Sequence, residues 1–261
     1  MEETHVNVDG SRLRCRFEGP SGAPVLVLSN SLGADLAMWD PQMPALARAF
    51  RVLRYDSRGS GGSSVSPGPY SIERLGRDVI GLLDASGIDR AHFCGLSMGG
   101  MTGMWLGIHA PQRLDKLVLA NTAARIGPPE KWNARIERVR EGGMAAIADA
   151  VVAGWFTPAF HGAQPNTVAA MHAMLKRSPV DGYIACCAAV RDADQREPIA
   201  GIGAATLVIS GTHDGATPPS DGRFLVQQIA GARYVELPAA HIANVEASAP
   251  FTDALMSFLI E

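Results

Sequence analysis

The sequence predicts an α/β fold in which a mostly parallel, eight-stranded sheet is flanked by helices. Short apolar runs rich in β-branched residues alternate with longer segments of helical period. This alternation is typical of parallel strands whose two faces are covered by helices. Each run ends in glycine or polar residues, which indicates that the strand meets a loop at its carboxyl end. The 261 residues of the chain suffice for one large core with an insertion.

The chain opens with a predicted hairpin. Residues 4–8 and 12–18 flank Asp9-Gly10, and an Asp-Gly pair between two strand-like runs favours a tight β-turn. We expect this hairpin to form an antiparallel edge of the sheet. The other strands are predicted from six apolar runs, at residues 24–30, 50–56, 91–95, 116–121, 206–211 and 232–237.

Helical segments fill the gaps, at residues 71–86, 98–109 and 250–260. Between residues 121 and 206 the alternation of strand and helix stops, and this interval holds helix-like segments separated by prolines. We therefore expect a helical cap inserted before the seventh strand. The predicted division is a core over residues 1–123 and 201–261, with the cap at residues 124–200.

Composition narrows the function classes. The net charge of −3, without a basic stripe, gives no reason to expect a nucleic-acid partner. The four cysteines have neither zinc-site spacing nor the density of a disulfide scaffold, which favours free thiols. The acidic start lacks the features of a signal peptide, and no apolar run is long enough to span a bilayer. We predict a cytoplasmic protein without a membrane partner. A secreted protein without a leader is the alternative, and the oligomeric state is open.

A glycine-containing motif, Gly95-Leu96-Ser97-Met98-Gly99, fits the G-x-S-x-G pattern of a nucleophile elbow. In such an elbow the serine lies on a strained turn between a strand and a helix, where small neighbours let the backbone bend sharply. An apolar run leads into Gly95 and a helical segment starts at Met98, as the motif requires. We predict that Ser97 is a nucleophile; a structural turn serine is the alternative.

A nucleophilic serine needs a base, and the base needs a group that fixes its tautomer. Asp214 follows a predicted strand, and His241 is the only histidine after it, which gives the chain order serine, acid, histidine. We predict Asp214 as the acid and His241 as the base. His213 is the rival base, although its adjacency to Asp214 hinders contact between that carboxylate and its ring. The alternative for Asp214 is a loop aspartate that initiates a turn.

Acyl transfer also needs N–H donors for the developing oxyanion. We expect them from the backbone of Met98, directly after the nucleophile, and of Leu32, in the loop after the third strand. The glycine-rich loop at residues 55–63 lacks the third glycine of a dinucleotide fingerprint, and no Walker motif occurs. No pair of the other histidines has metal-ligand spacing with a nearby carboxylate. We therefore expect neither a cofactor nor a metal.

Together these motifs resemble the α/β-hydrolase superfamily across nearly the whole chain. Within it, Asn30-Ser31-Leu32-Gly33 differs from the His-Gly pair common in that superfamily and resembles the 3-oxoadipate enol-lactonases. Three further stretches share this resemblance: Trp39-Asp40, residues 155–158 and Cys186-Cys187. The resemblance implies an α/β-hydrolase fold and hydrolysis of 3-oxoadipate enol-lactone to 3-oxoadipate in the degradation of aromatic compounds (the β-ketoadipate pathway).

The implied substrate carries a carboxylate, which favours a cationic or strongly hydrogen-bonding group in the pocket. The candidates in the cap are four arginines, with two tryptophans as possible apolar walls: Arg135, Arg138, Arg177, Arg191, Trp132 and Trp155. Alternative functions stay open at this point. A carboxylesterase, a perhydrolase-like enzyme or a carbon-carbon bond hydrolase would use the same triad, and a ligand receptor could be built on the same scaffold.

Overall fold

The computed structural model describes residues 2–261, and an eight-stranded sheet crosses the middle of the protein. The strands are β1 (Glu2–Val8), β2 (Ser11–Glu18), β3 (Val25–Ser29), β4 (Arg51–Tyr55), β5 (Ala91–Leu96), β6 (Leu114–Ala120), β7 (Ala205–Gly211) and β8 (Arg233–Leu237). Their order in the sheet is β1-β2-β4-β3-β5-β6-β7-β8. The first two pairings, β1 with β2 and β2 with β4, are antiparallel and the other five are parallel. The prediction of a mostly parallel eight-stranded sheet is confirmed.

The predicted hairpin forms the antiparallel edge. Asp9 and Gly10 have φ values of 42° and 73°, the positive angles that a tight hairpin turn of this type requires. In the register that results, Val6 lies opposite Leu13. Leu13 is fully buried, so the turn places the apolar side of the second strand against the core.

The central strands are covered on both faces. In β3 the three successive residues Leu26, Val27 and Leu28 are at most 1% exposed. Successive strand residues point to opposite faces, so an unbroken buried run means that neither face meets solvent. This burial explains why the central strands appear in the sequence as continuous apolar runs, whereas the edge hairpin alternates.

Eleven helices flank the sheet or lie in its connections within residues 2–261. They are α1 (Met43–Ala49), α2 (Ile72–Ala85), α3 (Met98–His109), α4 (Pro129–Gly142), α5 (Ala145–Trp155), α6 (Pro158–Ala163), α7 (Pro165–Lys176), α8 (Val180–Asp192), α9 (Pro219–Gln228), α10 (Ala243–Glu246) and α11 (Ser248–Ile260). Short 3-10 helices occur at Leu36–Gln42, Pro111–Arg113 and Pro198–Gly201.

The helix boundaries follow from local chemistry. Ser71 precedes α2 and its side chain accepts a hydrogen bond from the Arg74 N–H at 3.1 Å, as an N-cap does. Helix α3 has the predicted bounds, whereas α11 begins at Ser248, two residues before the predicted start. Helices α1, α9 and α10 were not predicted from the sequence.

The interval between β6 and β7 contains only helical elements, α4 to α8 and the 3-10 helix at Pro198–Gly201, and their connections. Helix α8 packs closely on the loop after β4: a Cβ atom on Gly182 would lie 2.0 Å from the Gly59 carbonyl oxygen. The helical content agrees with the cap expected there. The cap boundaries at residues 124 and 200 stay a proposal.

The described residues include neither a membrane-spanning helix nor a metal-binding cluster. Over residues 2–261, no helix combines the length and the apolar character needed to cross a bilayer. In the same part of the chain, no cluster of three or more His, Cys, Asp or Glu side chains could hold a metal ion. The four cysteines are buried and free.

Candidate active site

Ser97 lies in a sharp turn between β5 and α3. Its backbone has φ 57° and ψ −115°, a strained conformation for a residue with a side chain. Two close backbone contacts explain the glycines around it. A Cβ atom on Gly95 would lie 2.1 Å from the Gly99 carbonyl oxygen, and one on Gly99 would lie 2.3 Å from the Ser29 carbonyl oxygen. The turn is therefore possible only with glycine at these two positions, as the elbow motif predicts.

Three side chains from distant parts of the chain form one hydrogen-bonded series. The Ser97 Oγ atom lies 3.0 Å from His241 Nε2, and His241 Nδ1 lies 2.9 Å from Asp214 Oδ2. All three residues are buried. Because an ionised carboxylate only accepts hydrogen bonds, Nδ1 carries the proton and Nε2 of the neutral ring accepts from the serine hydroxyl. This is the arrangement of a nucleophile, a base and an orienting acid.

Asp214 is held by an array of donors. Besides His241, its Oδ2 atom accepts from Asn121 Nδ2 at 3.0 Å and from Thr217 Oγ1 at 2.8 Å. Its Oδ1 atom accepts from the N–H groups of Ala216 at 2.8 Å and Thr217 at 3.0 Å. Burial raises the pKa of the Asp214 carboxyl, but attraction to the His241 ring in its protonated form and these hydrogen bonds outweigh burial and bring the pKa to about 2. The carboxylate therefore stays ionised beside the ring.

Asn121 is a further residue of the site, and it was not predicted from the sequence. This fully buried residue follows β6 with a positive φ of 43°, and its Nδ2 atom also donates to the Ala240 carbonyl at 3.1 Å. It thus connects the acid to the residue before His241. The only signal in the sequence was a polar residue at the carboxyl end of a predicted strand.

The two predicted oxyanion donors lie beside Ser97. Met98 is the first residue of α3, where an N–H has no partner within its own helix. Leu32 follows β3 and lines the same cavity as Ser97. Among the residues that the structure describes, neither N–H donates to a protein acceptor. That these two N–H groups serve the oxyanion stays a proposal.

A cavity of about 840 Å³ opens above the triad. Its floor includes Ser97 and His241 from the core, and its walls come largely from α4 and α5 and the residues after α5. Three of the predicted substrate-contacting residues, Trp132, Arg135 and Trp155, line it. The cap side chains thus complete a pocket whose reactive groups belong to the sheet.

Arg138 does not reach this cavity. It is exposed, and its guanidinium donates to the Ala146 carbonyl at 3.0 Å. Arg135 and Arg138 are three residues apart on α4, but only Arg135 lines the cavity. Arg177 and Arg191 are not cavity-lining residues either: they face Asp35 and Asp192. Of the four arginines expected as candidates, only Arg135 is placed to meet a ligand.

The charged groups that line the cavity carry one sign. Lys131, which was not predicted from the sequence, lines the cavity together with Arg135. Among the described residues, no aspartate or glutamate lines it. The Arg135 guanidinium carbon lies 5.0 Å from the Trp132 ring centroid, which is within the range of a cation–π contact. An anionic ligand therefore meets an electrostatically favourable pocket.

His213, the rival base, lines the outer part of the cavity. Its side chain is exposed and its backbone N–H donates to the Ala239 carbonyl at 3.0 Å. The structure pairs Asp214 with His241 instead.

The loop after β4 is braced by hydrogen bonds and an ion pair. Asp56 accepts from Leu36 N–H at 2.7 Å and Gly62 N–H at 2.8 Å, and Arg58 pairs with buried Asp78.

Comparisons with known proteins agree with this geometry. Residues 24–153 match the family model described as the alpha/beta hydrolase fold. The 3-oxoadipate enol-lactonase 2 of Acinetobacter baylyi is 43% identical over 237 residues, which cover 91% of this chain and 89% of that protein. The 3-oxoadipate enol-lactonase 1 of the same organism is 38% identical over 99% of this chain and 98% of that protein.

A solved structure is similar over nearly the whole chain. The enol-lactonase from Burkholderia xenovorans LB400 superposes with a TM-score of 0.98 at 49% sequence identity, and the match covers 98% of this chain and 100% of that one. Together with the serine elbow and the pocket above it, these matches show that the chain belongs to the 3-oxoadipate enol-lactonases of the α/β-hydrolase superfamily.

Proposed function

We propose that this protein is a serine hydrolase that opens 3-oxoadipate enol-lactone to 3-oxoadipate. The observation that carries the proposal is the hydrogen-bonded series Ser97, His241, Asp214 at the floor of a cavity lined by cationic side chains and, among the described residues, by no carboxylate. The two relatives that are named for this activity, at 43% and 38% identity, support the choice of substrate.

The reaction begins with attack of the Ser97 Oγ atom on the lactone carbonyl carbon. His241 Nε2, 3.0 Å from that oxygen, takes the hydroxyl proton, and Asp214 stabilises the imidazolium that forms. The carbonyl oxygen becomes an oxyanion, which the N–H groups of Leu32 and Met98 stabilise. Within the described protein neither N–H has an acceptor of its own, so donating to the oxyanion would break no existing hydrogen bond.

The tetrahedral intermediate then breaks the bond between the carbonyl carbon and the ring oxygen. His241 Nε2–H gives its proton to the departing oxygen, which leaves as an enol and stays attached through the carbon chain of the acyl group. A water molecule, deprotonated by His241, attacks the acyl carbon in the second half of the reaction. Collapse of that intermediate breaks its bond to Ser97 Oγ, which takes a proton from His241 Nε2–H, and the enol tautomerises to the ketone of 3-oxoadipate.

Substrate selection is assigned to the wall formed by α4 and α5. We propose that Arg135 pairs with the free carboxylate of the lactone, assisted by Lys131, while Trp132 and Trp155 provide apolar walls. No carboxylate of the described chain lies within 4.0 Å of the Arg135 guanidinium, so a ligand carboxylate would not compete with an ion pair inside the protein. Arg138 is left out of this site because it is exposed and bonded to a backbone carbonyl.

The test compares the enol-lactone with a neutral ester of similar size, for the wild type and for Arg135→Met. A hydrogen bond to a charged group contributes about 1.5–3 kcal/mol, so the substitution should lower kcat/KM for the enol-lactone roughly tenfold to hundredfold. The rate with the neutral ester should stay nearly unchanged. The matched control is Arg138→Met on the same helix, which should affect neither substrate.

A wild-type preference for the neutral ester would contradict the lactonase proposal and favour a carboxylesterase instead. If the wild type hydrolysed both substrates only at trace rates, it would be better described as a ligand receptor on a hydrolase scaffold. The cytoplasmic location expected from the sequence stays a prediction, which fractionation of cells that produce the protein would test.

A further inference from the structure

Glu246 connects the loop before His241 to the cap. Its Oε2 atom accepts from the Ala240 N–H at 2.7 Å. Its Oε1 atom accepts from the Thr157 N–H at 3.0 Å and also from the Thr157 hydroxyl. Thr157 is the N-cap of α6 and lines the cavity. One carboxylate therefore binds both the residue before His241 and a residue of the cavity wall.

The helix that carries Glu246 is itself fixed to the core. Asn244 lies two residues before Glu246, and its side-chain Nδ2 donates to the Met38 carbonyl at 2.8 Å, while its backbone carbonyl accepts from Gln42 Nε2 at 2.7 Å. These three residues are buried. The contacts tie α10 to the 3-10 helix at Leu36–Gln42, so Glu246 projects from a rigid support rather than from a mobile loop.

Further hydrogen bonds hold the backbone on both sides of His241. The Ala240 carbonyl accepts from Asn121 Nδ2 at 3.1 Å, and the Ile242 N–H donates to the Trp155 carbonyl at 3.0 Å. Trp155 lines the cavity, as Thr157 does. The peptide groups around His241 are thus fixed by Asn121 after β6, Glu246 in α10 and Trp155 in the cavity wall.

This arrangement matters because His241 comes from a connection between β8 and α10 rather than from the interior of a helix or strand. A displacement of about 1 Å at the reacting atoms can reduce a rate roughly a hundredfold. The imidazole must keep its distance from Ser97 on one side and from Asp214 on the other. The position of the imidazole therefore depends on the groups that hold the backbone of His241.

We infer that Glu246 is a positioning residue that holds the base His241 in register with the cavity wall, through its two hydrogen-bonded ends at Ala240 and Thr157. The inference rests on the proposed serine hydrolase mechanism. A glutamine cannot replace it, because one end of an amide is an NH2 group and would face an N–H donor. The carboxylate is required because both of its oxygens accept.

The test uses Glu246→Gln and Thr157→Val, with Glu73→Gln on α2 as the matched control. An alkyl fluorophosphonate is the first probe: Ser97 displaces fluoride from phosphorus while His241 takes the serine proton. The amount of probe bound at completion gives the fraction of folded sites, and the rate of labelling per site reports how well His241 activates Ser97. Hydrolysis of the enol-lactone gives kcat and KM per titrated site.

In Glu246→Gln we expect the labelling rate per site and kcat to fall roughly tenfold or more, with KM changed by less than about twofold. Thr157→Val should lower the labelling rate in the same direction by a smaller factor. Glu73→Gln should match the wild type, because this exposed residue contacts neither the cavity nor His241. A residue with a merely structural role would lower the number of titrated sites but not the rate of each.

An unchanged labelling rate per site in Glu246→Gln, or in Thr157→Val, would overturn the inference. The probe keeps this outcome separate from the choice of substrate. If the wild-type protein reacted with the fluorophosphonate but did not hydrolyse the enol-lactone, the proposed substrate would be wrong. The labelling rates would still decide the role of Glu246.

Discussion

Replacing Asp214 by asparagine changes one carboxylate oxygen into an NH2 group. The hydrogen-bonding groups around the Asp214 carboxylate, however, all act as donors to it. Oδ1 accepts hydrogen bonds from the N–H groups of Ala216 and Thr217. Oδ2 accepts hydrogen bonds from Asn121 Nδ2, the Thr217 hydroxyl and His241 Nδ1. The two backbone donors cannot reverse their polarity. The amide oxygen must therefore face them, and the NH2 group must occupy the Oδ2 position.

At that position the NH2 group points at His241 Nδ1, which can become an acceptor only by moving its proton to Nε2. The ring would then present Nε2–H to Ser97 and could no longer accept the serine proton. An asparagine at the corresponding acid of a serine triad lowers kcat about 10⁴-fold through this wrong tautomer. We expect a loss of similar size for Asp214→Asn, which corresponds to about 5 kcal/mol in the activation free energy.

The assay is enol-lactone hydrolysis, combined with ¹⁵N spectra of labelled histidine that identify which ring nitrogen carries the proton. Asp221→Asn is the matched control: this carboxyl, whose pKa is raised by burial and by the nearby Asp214 charge, bonds neither His241 nor Ser97. It should keep nearly the full rate. A kcat above about a tenth of the wild-type value in Asp214→Asn, or a proton still bound to His241 Nδ1 in this variant, would refute the tautomer explanation.

Three further outcomes are expected. Ser97→Ala should lower turnover at least about a thousandfold while the melting temperature stays nearly unchanged; substantial remaining hydrolysis would exclude Ser97 as the nucleophile. Gly99→Ala should cost about 2 kcal/mol or more in urea unfolding, because its Cβ would lie 2.3 Å from the Ser29 carbonyl oxygen. Gly203→Ala, which meets nothing within 4 Å, is its control, and equal stability of the two variants would contradict the packing argument. Since the pKa of Asp214 is lowered from 3.8 to about 2, its stabilising contribution is present above about pH 4 and is lost as the pH falls toward 2. The wild type should therefore lose about 2 kcal/mol more than Asp214→Asn between pH 5 and pH 2, and parallel losses in the two proteins would disprove this.

The features that the sequence determined are those set by neighbours along the chain. The strained turn at Ser97 requires small residues two positions away on each side, so the elbow appears as a short motif. The Asp9-Gly10 turn likewise depends on two adjacent residues that accept positive φ. Continuous apolar runs identified the central strands, because burial on both faces removes any need for polar residues there.

The tertiary structure decided which distant groups meet. Ser97 and His241 are 144 positions apart, and their order along the chain gave a hypothesis of contact but no distance. Nothing in the local sequence of Asn121 or Glu246 indicates that each would hold the backbone beside His241. Among the cap arginines, only packing could distinguish Arg135 from Arg138.

The physical reason is the range of the interactions. Turn angles, helix caps and the periodicity of burial act over a few residues, so they leave a local pattern that can be read from the chain. Hydrogen-bond partners and the direction of a helix face toward a cavity depend on how separate elements pack. The sequence therefore determined the reactive serine and the layers around it, whereas only the fold decided what holds the histidine and what lines the pocket.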